Sequence, residues 1–252
     1  MTDLNGKRAL VTGGGIGIGR SIVQQLCAAG ADVVLTYRTH EPDQEFLQNC
    51  RKEHGGVCEA ISVDARDESS ITDAVAQTAK TLGGIDILVN NVGGLVDRVD
   101  VRTMELAFWR EVLTVNLDSM FLFSREALRH MDRGWGRVVN IASLAGRNGG
   151  SNGSTAYATS KAGMFGFTRG LAKEVATAGI TVNAVAPGLI LDTPFHETFT
   201  TPANQAAAVE SIALKRPGMP VDVAGPVLWL CSEDSAFVTG TIVDVNGGQY
   251  FG

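Results

Sequence analysis

Residues 10–20 read LVTGGGIGIGR, five glycines in eleven positions. Glycine weakens helices and strands, so such a cluster marks a place where something must approach the main chain closely. The apolar run Arg8–Thr12 enters the cluster, and a helical pattern leaves it from about Gly17. The stretch therefore reads as strand, glycine loop and helix, and a helix N-terminus offers unpaired N–H groups and partial positive charge to a phosphate. Two phosphate loops compete for it. The NTPase form, G-x-x-x-x-G-K-S/T, fits Gly14 to Gly19 and Ser21, but Arg20 stands where a lysine must reach the phosphates. The dinucleotide form is met with the spacing Gly13-x-x-x-Gly17-x-Gly19 after Thr12, not with the usual G-x-G-x-x-G. The loop alone does not separate them.

Outward from the loop, short β-branched runs alternate with longer amphipathic stretches. Expected strands are Arg8–Thr12, Asp32–Tyr37, Val57–Val63, Ile85–Asn90, Gly136–Ile141, Ile180–Val185 and Thr241–Val245. Each is almost continuously apolar, as strands buried on both faces are. Expected helices are Gly17–Ala29, Asp43–His54, Ser69–Leu82, Met104–Met131, Ala156–Ala178 and Val221–Cys231. Strand–helix alternation implies right-handed crossovers and an α/β fold, a parallel sheet covered on both faces. No linker divides the chain, so residues 1–252 are expected to form one domain. Residues 193–216, with Pro194 and Pro202, read as an insertion that covers a site.

The bulk numbers narrow the function. With 44% hydrophobic residues the chain can bury a large core, and a net charge of −6 argues against a broad nucleic-acid footprint. There is no basic flank followed by an apolar run at the start and no apolar segment that would span a bilayer, so a cytoplasmic protein without membrane contact is expected. Cys27, Cys50, Cys58 and Cys231 form no C-x-x-C pair and have no metal-like spacing with the four histidines. They read as free, reduced thiols, and no metal site is expected.

The second half of the chain separates the two loops. STAYATSKAG, residues 154–163, sets Tyr157 and Lys161 four apart in a helical pattern, on one face and one turn apart. Ser143 ends the apolar run RVVNIAS. A phenol with a pKa near 10 is a poor base at neutral pH, and a nearby ammonium lowers that pKa. A serine hydroxyl could then hold the reacting oxygen while the tyrosine exchanges its proton. Singly each residue has an ordinary structural reading; the combination with an upstream glycine loop is specific.

On these motifs, together with Asp64, Asn90-Asn91-Val92-Gly93, Asn116 and Pro187-Gly188, the chain resembles the short-chain dehydrogenase/reductase family from Lys7 to Gly248. The resemblance implies a single Rossmann-type domain with a seven-stranded doubly wound sheet, and hydride transfer between a nicotinamide and a carbonyl or secondary alcohol. It implies that Tyr157 is the general acid/base, that Lys161 lowers its pKa and hydrogen-bonds the nicotinamide ribose, and that Ser143 orients the substrate oxygen. Asn116 would hold a water in a proton relay to the lysine. Gly13, Gly15, Ile16, Gly17, Ile18 and Gly19 would cradle the pyrophosphate. Asp64 and Ala65 would meet the adenine, with an N-cap as the alternative role for Asp64, one that Ser69 could serve instead. Asn91 and Gly93 would line the adenine ribose side while Asn90 braces its strand. Pro187 and Gly188 would turn the chain so that the Ile190 backbone holds the carboxamide. The threonine often found five residues after that proline is shifted, since position 192 is Asp and Thr193 follows.

Tyr37 stands where NAD-selective relatives carry an acid, and Arg38 follows it. This favours NADP(H) over NAD(H), although Ile16 occupies a loop position that is basic in many NADP-selective members. The pattern looks most like the 3-oxoacyl-thioester reductase branch; polyol, sugar and diol dehydrogenases share its motifs, and a catalytically silent nicotinamide-binding sensor would need the loop without the Asn–Ser–Tyr–Lys set. Apolar residues in the helices around Asn116 and Tyr157, including Phe108, Trp109, Met120, Phe121, Phe123, Phe165 and Phe167, exceed what one sheet face needs. In the family such helices pair between subunits, implying a homotetramer; the alternative is that all are core.

Overall fold

In the computed structural model, which describes residues 2–131, 134–193, 198–199 and 201–252, seven parallel strands form one sheet in the order β3-β2-β1-β4-β5-β6-β7. They are β1 (Arg8–Val11), β2 (Asp32–Tyr37), β3 (Cys58–Ser62), β4 (Ile87–Asn90), β5 (Gly136–Ile141), β6 (Ile180–Pro187) and β7 (Ile242–Val245). All seven fall on the expected apolar runs, most trimmed at an end and β6 extended to Pro187. The helices are α1 (Gly17–Ala28), α2 (Gln44–His54), α3 (Glu68–Leu82), α4 (Leu106–Leu113), α5 (Ser119–Leu128), α6 (Ala145–Asn148), α7 (Thr155–Val175), α8 (Pro202–Ser211) and α9 (Pro220–Leu230).

Strand period 2 divides the core between the two faces. Ala9 and Val11 of β1 join the cluster of Ile22, Val23 and Leu26 from α1 and Val223, Val227 and Leu230 from α9. Leu10, between them, joins Ile71 and Val75 of α3 and Phe123 and Ala127 of α5 on the other face. Each such fully buried aliphatic side chain contributes about 1.5–3 kcal/mol. The strand order reverses beside β1, which has β2 on one side and β4 on the other. That switch point opens a crevice at the carboxyl ends of the strands.

One expected element is divided. The helix read as Met104–Met131 starts at Leu106, ends at Leu128 and is broken by a five-residue π turn, Thr114–Asp118. Asn116 lies fully buried in that turn and its Nδ2 donates to Val112 O, four residues back, at 2.9 Å. A side chain that competes for a helix carbonyl favours such a bulge.

Candidate active site

The glycine loop is held from both sides. Gly13 N–H donates to Thr36 Oγ1 and Gly14 N–H to Thr36 O, tying the loop to β2. Asn91 Nδ2 donates to Thr12 O at 3.1 Å and Gly13 O at 3.0 Å, while Thr12 Oγ1 accepts from the N–H groups of Asn91 and Val92. Gly13 and Gly17 adopt φ of 66° and 53°, where side chains are disfavoured. The N-cap of α1, Ile16, supplies no side-chain hydrogen bond and the first turn has no acid, so its N–H groups are left for an anion. A Cβ on Gly15 would lie 2.3 Å from His40 O, and one on Gly19 2.2 Å from Gly13 O. The loop is thus a cradle that only bare backbone can form, and it fits a dinucleotide pyrophosphate.

The loop opens into a cleft of about 1210 Å³. Its walls include every expected cofactor position (Gly13, Gly15, Ile16, Gly17, Ile18, Gly19, Arg38, Asp64, Ala65, Asn91, Gly93, Pro187, Gly188 and Ile190) and also Ser143, Tyr157 and Lys161. Asn116 alone is not a wall residue; it lies behind the wall. Its Nδ2 also donates to Gly94 O and its Oδ1 accepts from Gly94 N–H. A Cβ on Gly93 would lie 2.6 Å from Asn116 Oδ1 and 3.0 Å from Lys161 Nζ, so a glycine separates these two groups.

Two helix-start readings are corrected. Asp64 does not cap α3, and neither does Ser69: the cap is Asp67, whose carboxylate accepts from Ser69 N–H and Ser70 N–H. Asp64 is exposed at the cleft and, among the described residues, its side chain accepts only the local Arg66 N–H. Asn90 does brace its strand, donating to Ser124 Oγ and Asn140 Oδ1.

Tyr157 is the third residue of α7, and Lys161 follows one turn on. The Ser143 hydroxyl lies close enough to the Tyr157 phenol to hold its pKa down as a hydrogen-bond partner. Lys161 is 3% exposed, donates to Ile141 O at 2.9 Å and sits 5.6 Å from the Tyr157 ring centroid. Burial pushes the Tyr157 phenol up to about 12 against the opposing Ser143 hydrogen bond, and burial brings the Lys161 ammonium down to about 7. The sequence leads one to expect a tyrosine lowered by its lysine. Desolvation of each group dominates instead.

The substrate side was partly foreseen. Thr193, not Asp192, walls the cleft: Asp192 takes a left-handed φ of 53°, and Thr193 Oγ1 folds back to donate to Ile190 O. Leu189, Ile190, Thr193, Phe199 and helix α8 cover one side, with Ala207 and Ala208 facing inward; Pro194, with 195–197 and 200, lies outside the described residues. Arg98 joins Ser151 Oγ and Asn152 O on the opposite rim to Phe199 O on the first. Val96 stands there at φ 66°, in a three-residue turn closed by Asp97 N–H donating to Leu95 O. Gln249 was missed. It donates to Ser211 Oγ, and its Oε1 is buried without a hydrogen-bond partner among the described residues. Two glycines with positive φ, Gly247 and Gly248, turn the C-terminal segment back to the cleft, and only these hinted at it.

A doubly wound sheet that sets a pyrophosphate cradle beside a hydroxyl pair and a buried amine defines a nicotinamide-dependent oxidoreductase acting between carbonyls and alcohols. Comparison with known proteins agrees. The family model described as enoyl-(acyl carrier protein) reductase matches residues 14–249. The chain is 41% identical over 248 residues to the 3-oxoacyl-(acyl-carrier-protein) reductase FabG of Aquifex aeolicus, covering 98% of each. It is 39% identical to the acetoacetyl-CoA reductase of Cupriavidus necator, covering 97% of this chain and 98% of that one. A short-chain dehydrogenase from Burkholderia cenocepacia, solved in complex with NADP, superposes with a TM-score of 0.87 at 35% identity over 98% of both chains. The chain belongs to the short-chain dehydrogenase/reductase family.

Proposed function

We propose that the protein reduces the ketone of 3-oxoacyl thioesters with NADPH. The observation that carries the reading is the Ser143–Tyr157 hydroxyl pair, opened to a cleft whose lining includes the apolar Leu95, Leu144, Leu189, Ala207 and Ala208. The 3-oxoacyl and acetoacetyl reductases among the relatives support this substrate class over a polyol. When bound, the nicotinamide supplies the hydride. The chain supplies the rest. Ser143 donates a hydrogen bond to the ketone oxygen, and the Tyr157 O–H delivers its proton there as the alcohol forms. Lys161, half protonated near neutral pH, biases Tyr157 toward giving and regaining that proton. Asn116 holds the Gly93–Gly94 turn and faces Lys161 past Gly93, the position of a water relay to the lysine.

Arg38 supports NADP(H). It is exposed at the cleft edge and forms no hydrogen bond or ion pair among the described residues, so its fork is free for a 2′-phosphate. Asp64 and Ala65 stand at the adenine end, and the Ile190 backbone at the nicotinamide end. We also read the protein as a cytoplasmic homotetramer; no helix among the described residues is long and apolar enough to cross a membrane. The apolar surplus divides between core and surface. Met120, Phe123 and Phe165 are core, while Phe121 is 44% exposed and packs edge-on against Phe167, an outward face that suits subunit pairing. The deciding experiment follows NADPH oxidation against 3-oxoacyl thioesters, diketones and keto sugars, and NADP reduction by polyols and secondary alcohols. Turnover confined to 3-oxoacyl thioesters is expected. Turnover confined to polyols would replace the substrate class.

A further inference from the structure

Cys27, Cys50 and Cys58 come from α1, α2 and β3, yet their sulfurs all lie within 4.8 Å of one another. All three are buried, at 0%, 2% and 0% exposure, in the apolar cluster that contains Val33, Phe46 and Leu47. The group is distant in sequence from the catalytic residues and none of its members walls the catalytic cleft. It has its own approach. A side cavity of about 430 Å³ lies between α1 and α2, rimmed by the exposed Gln24, Glu45 and Asn49, and Cys50 is part of its wall.

We propose that Cys27, Cys50 and Cys58 form a three-thiol site for a trivalent thiophilic metalloid of the arsenic(III) class. Thiolate sulfur bound at about 2.3 Å to one centre places three sulfurs no more than about 4 Å apart, a small contraction from the observed spacing. Charge selects the ion. A closed zinc site takes four ligands, and the described residues bring together three. Three thiolates on zinc leave one negative charge in the apolar core, and on copper(I) they leave two. Three thiolates on arsenic(III) are neutral.

Protons point the same way. All three sulfurs are buried in the apolar cluster, where nothing solvates three neighbouring thiolate charges, so the group rests as thiols. A simple cation must expel three protons to bind. Arsenious acid carries its own bases: three S–H and three As–O bonds break, three As–S bonds form, and each thiol proton leaves with a hydroxide as water. Nothing is oxidised or reduced. The bound centre would cross-link α1, α2 and β3.

The test is native mass spectrometry and thermal unfolding of the full chain with sodium arsenite. One arsenic replacing three hydrogens per chain is expected, with a Tm that rises with arsenite concentration. Cys231→Ala should behave as wild type. Cys50→Ala, and the closer mimic Cys50→Ser should the alanine variant fail to fold, should lose both the adduct and the Tm rise. No adduct on the wild-type chain, an unchanged adduct on a folded Cys50 variant, or a stoichiometric zinc complex where arsenite gives none would overturn the proposal.

Discussion

The two halves of the cleft are built on opposite principles. Beside β1 and β2 the binding surface is main chain, and the side chains of Thr12, Thr36 and Asn91 hydrogen-bond that main chain into place. Beside β5 and β6 the groups proposed to react are side chains, Ser143, Tyr157 and Lys161, and main chain helps to position them, as Ile141 O does for the lysine. The nucleotide half should therefore fail by added volume and the substrate half by deleted function. Substitutions in the first should move cofactor affinity, and those in the second kcat.

Tyr157→Phe gives the largest expected effect. Loss of the proton donor should lower kcat by about 10²–10⁴-fold while leaving NADPH affinity within a few fold, measured by stopped-flow turnover and fluorescence titration. Equal losses in both would break the division. Gly15→Ala probes the other side. Its Cβ would meet the His40 carbonyl at 2.3 Å, backbone that cannot swing away. An overpacking cost of about 1–3 kcal/mol should raise the Kd for NADPH by about tenfold or more, with kcat at saturation nearly kept.

Arg38→Asp sharpens the nucleotide half further. Removing a charge-assisted pair worth about 1.5–3 kcal/mol should weaken NADPH by roughly tenfold to a hundredfold and improve NADH, as ratios of kcat/KM. An unmoved ratio would mean that the end of β2 does not read the 2′-phosphate.

The same contrast governs what the sequence made legible. A backbone cradle needs glycines at fixed local spacing after an apolar strand, so the loop, the sheet and α1 could be read from residues 8–29. The Tyr157–Lys161 pair was legible because helix periodicity is local. Contacts made by topology were not. The π turn at Thr114–Asp118 depends on Asn116 finding Val112 O and the Gly94 backbone, the latter across the fold. Asp67 displaced both candidate caps because an acid nearer the first helical residue reaches Ser69 and Ser70. The Tyr157 pKa runs opposite to expectation because burial, invisible in spacing, dominates, and burial also lowers Lys161. The three converging cysteines lie 23 and 8 residues apart, and only the stacking of α1, α2 and β3 joins them.

Lys161 also links function to stability. Its pKa in the folded chain, about 7, lies below its ordinary 10.5. Between those values the unfolded chain holds a proton that the folded chain has released, so stability rises with pH by up to about 1.4 kcal/mol per unit. Below about 7 both states are protonated and the burial penalty is fully present. Tyr157 acts in the opposite sense only above its unfolded value near 10, where the unfolded chain ionises first. Urea unfolding at pH 7, 8 and 9 should therefore show wild type gaining on Lys161→Met. A constant difference would mean that Lys161 stays charged in the folded chain.

Val96 should give the smallest effect, and it falls on the substrate rim. A β-branched residue at φ 66° is strained, and such positions cost about 1–3 kcal/mol. Glycine relieves that strain but loses more backbone entropy on folding, about 0.5–1 kcal/mol, and gives up a half-buried side chain. The terms nearly cancel, so Val96→Gly should shift Tm upward by no more than about 2–4 °C. Its kinetics carry the information. The Val96 side chain is part of the cleft wall, so KM for the ketone should rise while NADPH affinity stays fixed. A clear Tm loss with unchanged KM would mean that the turn serves packing alone. A KM increase without stability loss would mean that the strain is retained to hold the valine against the substrate.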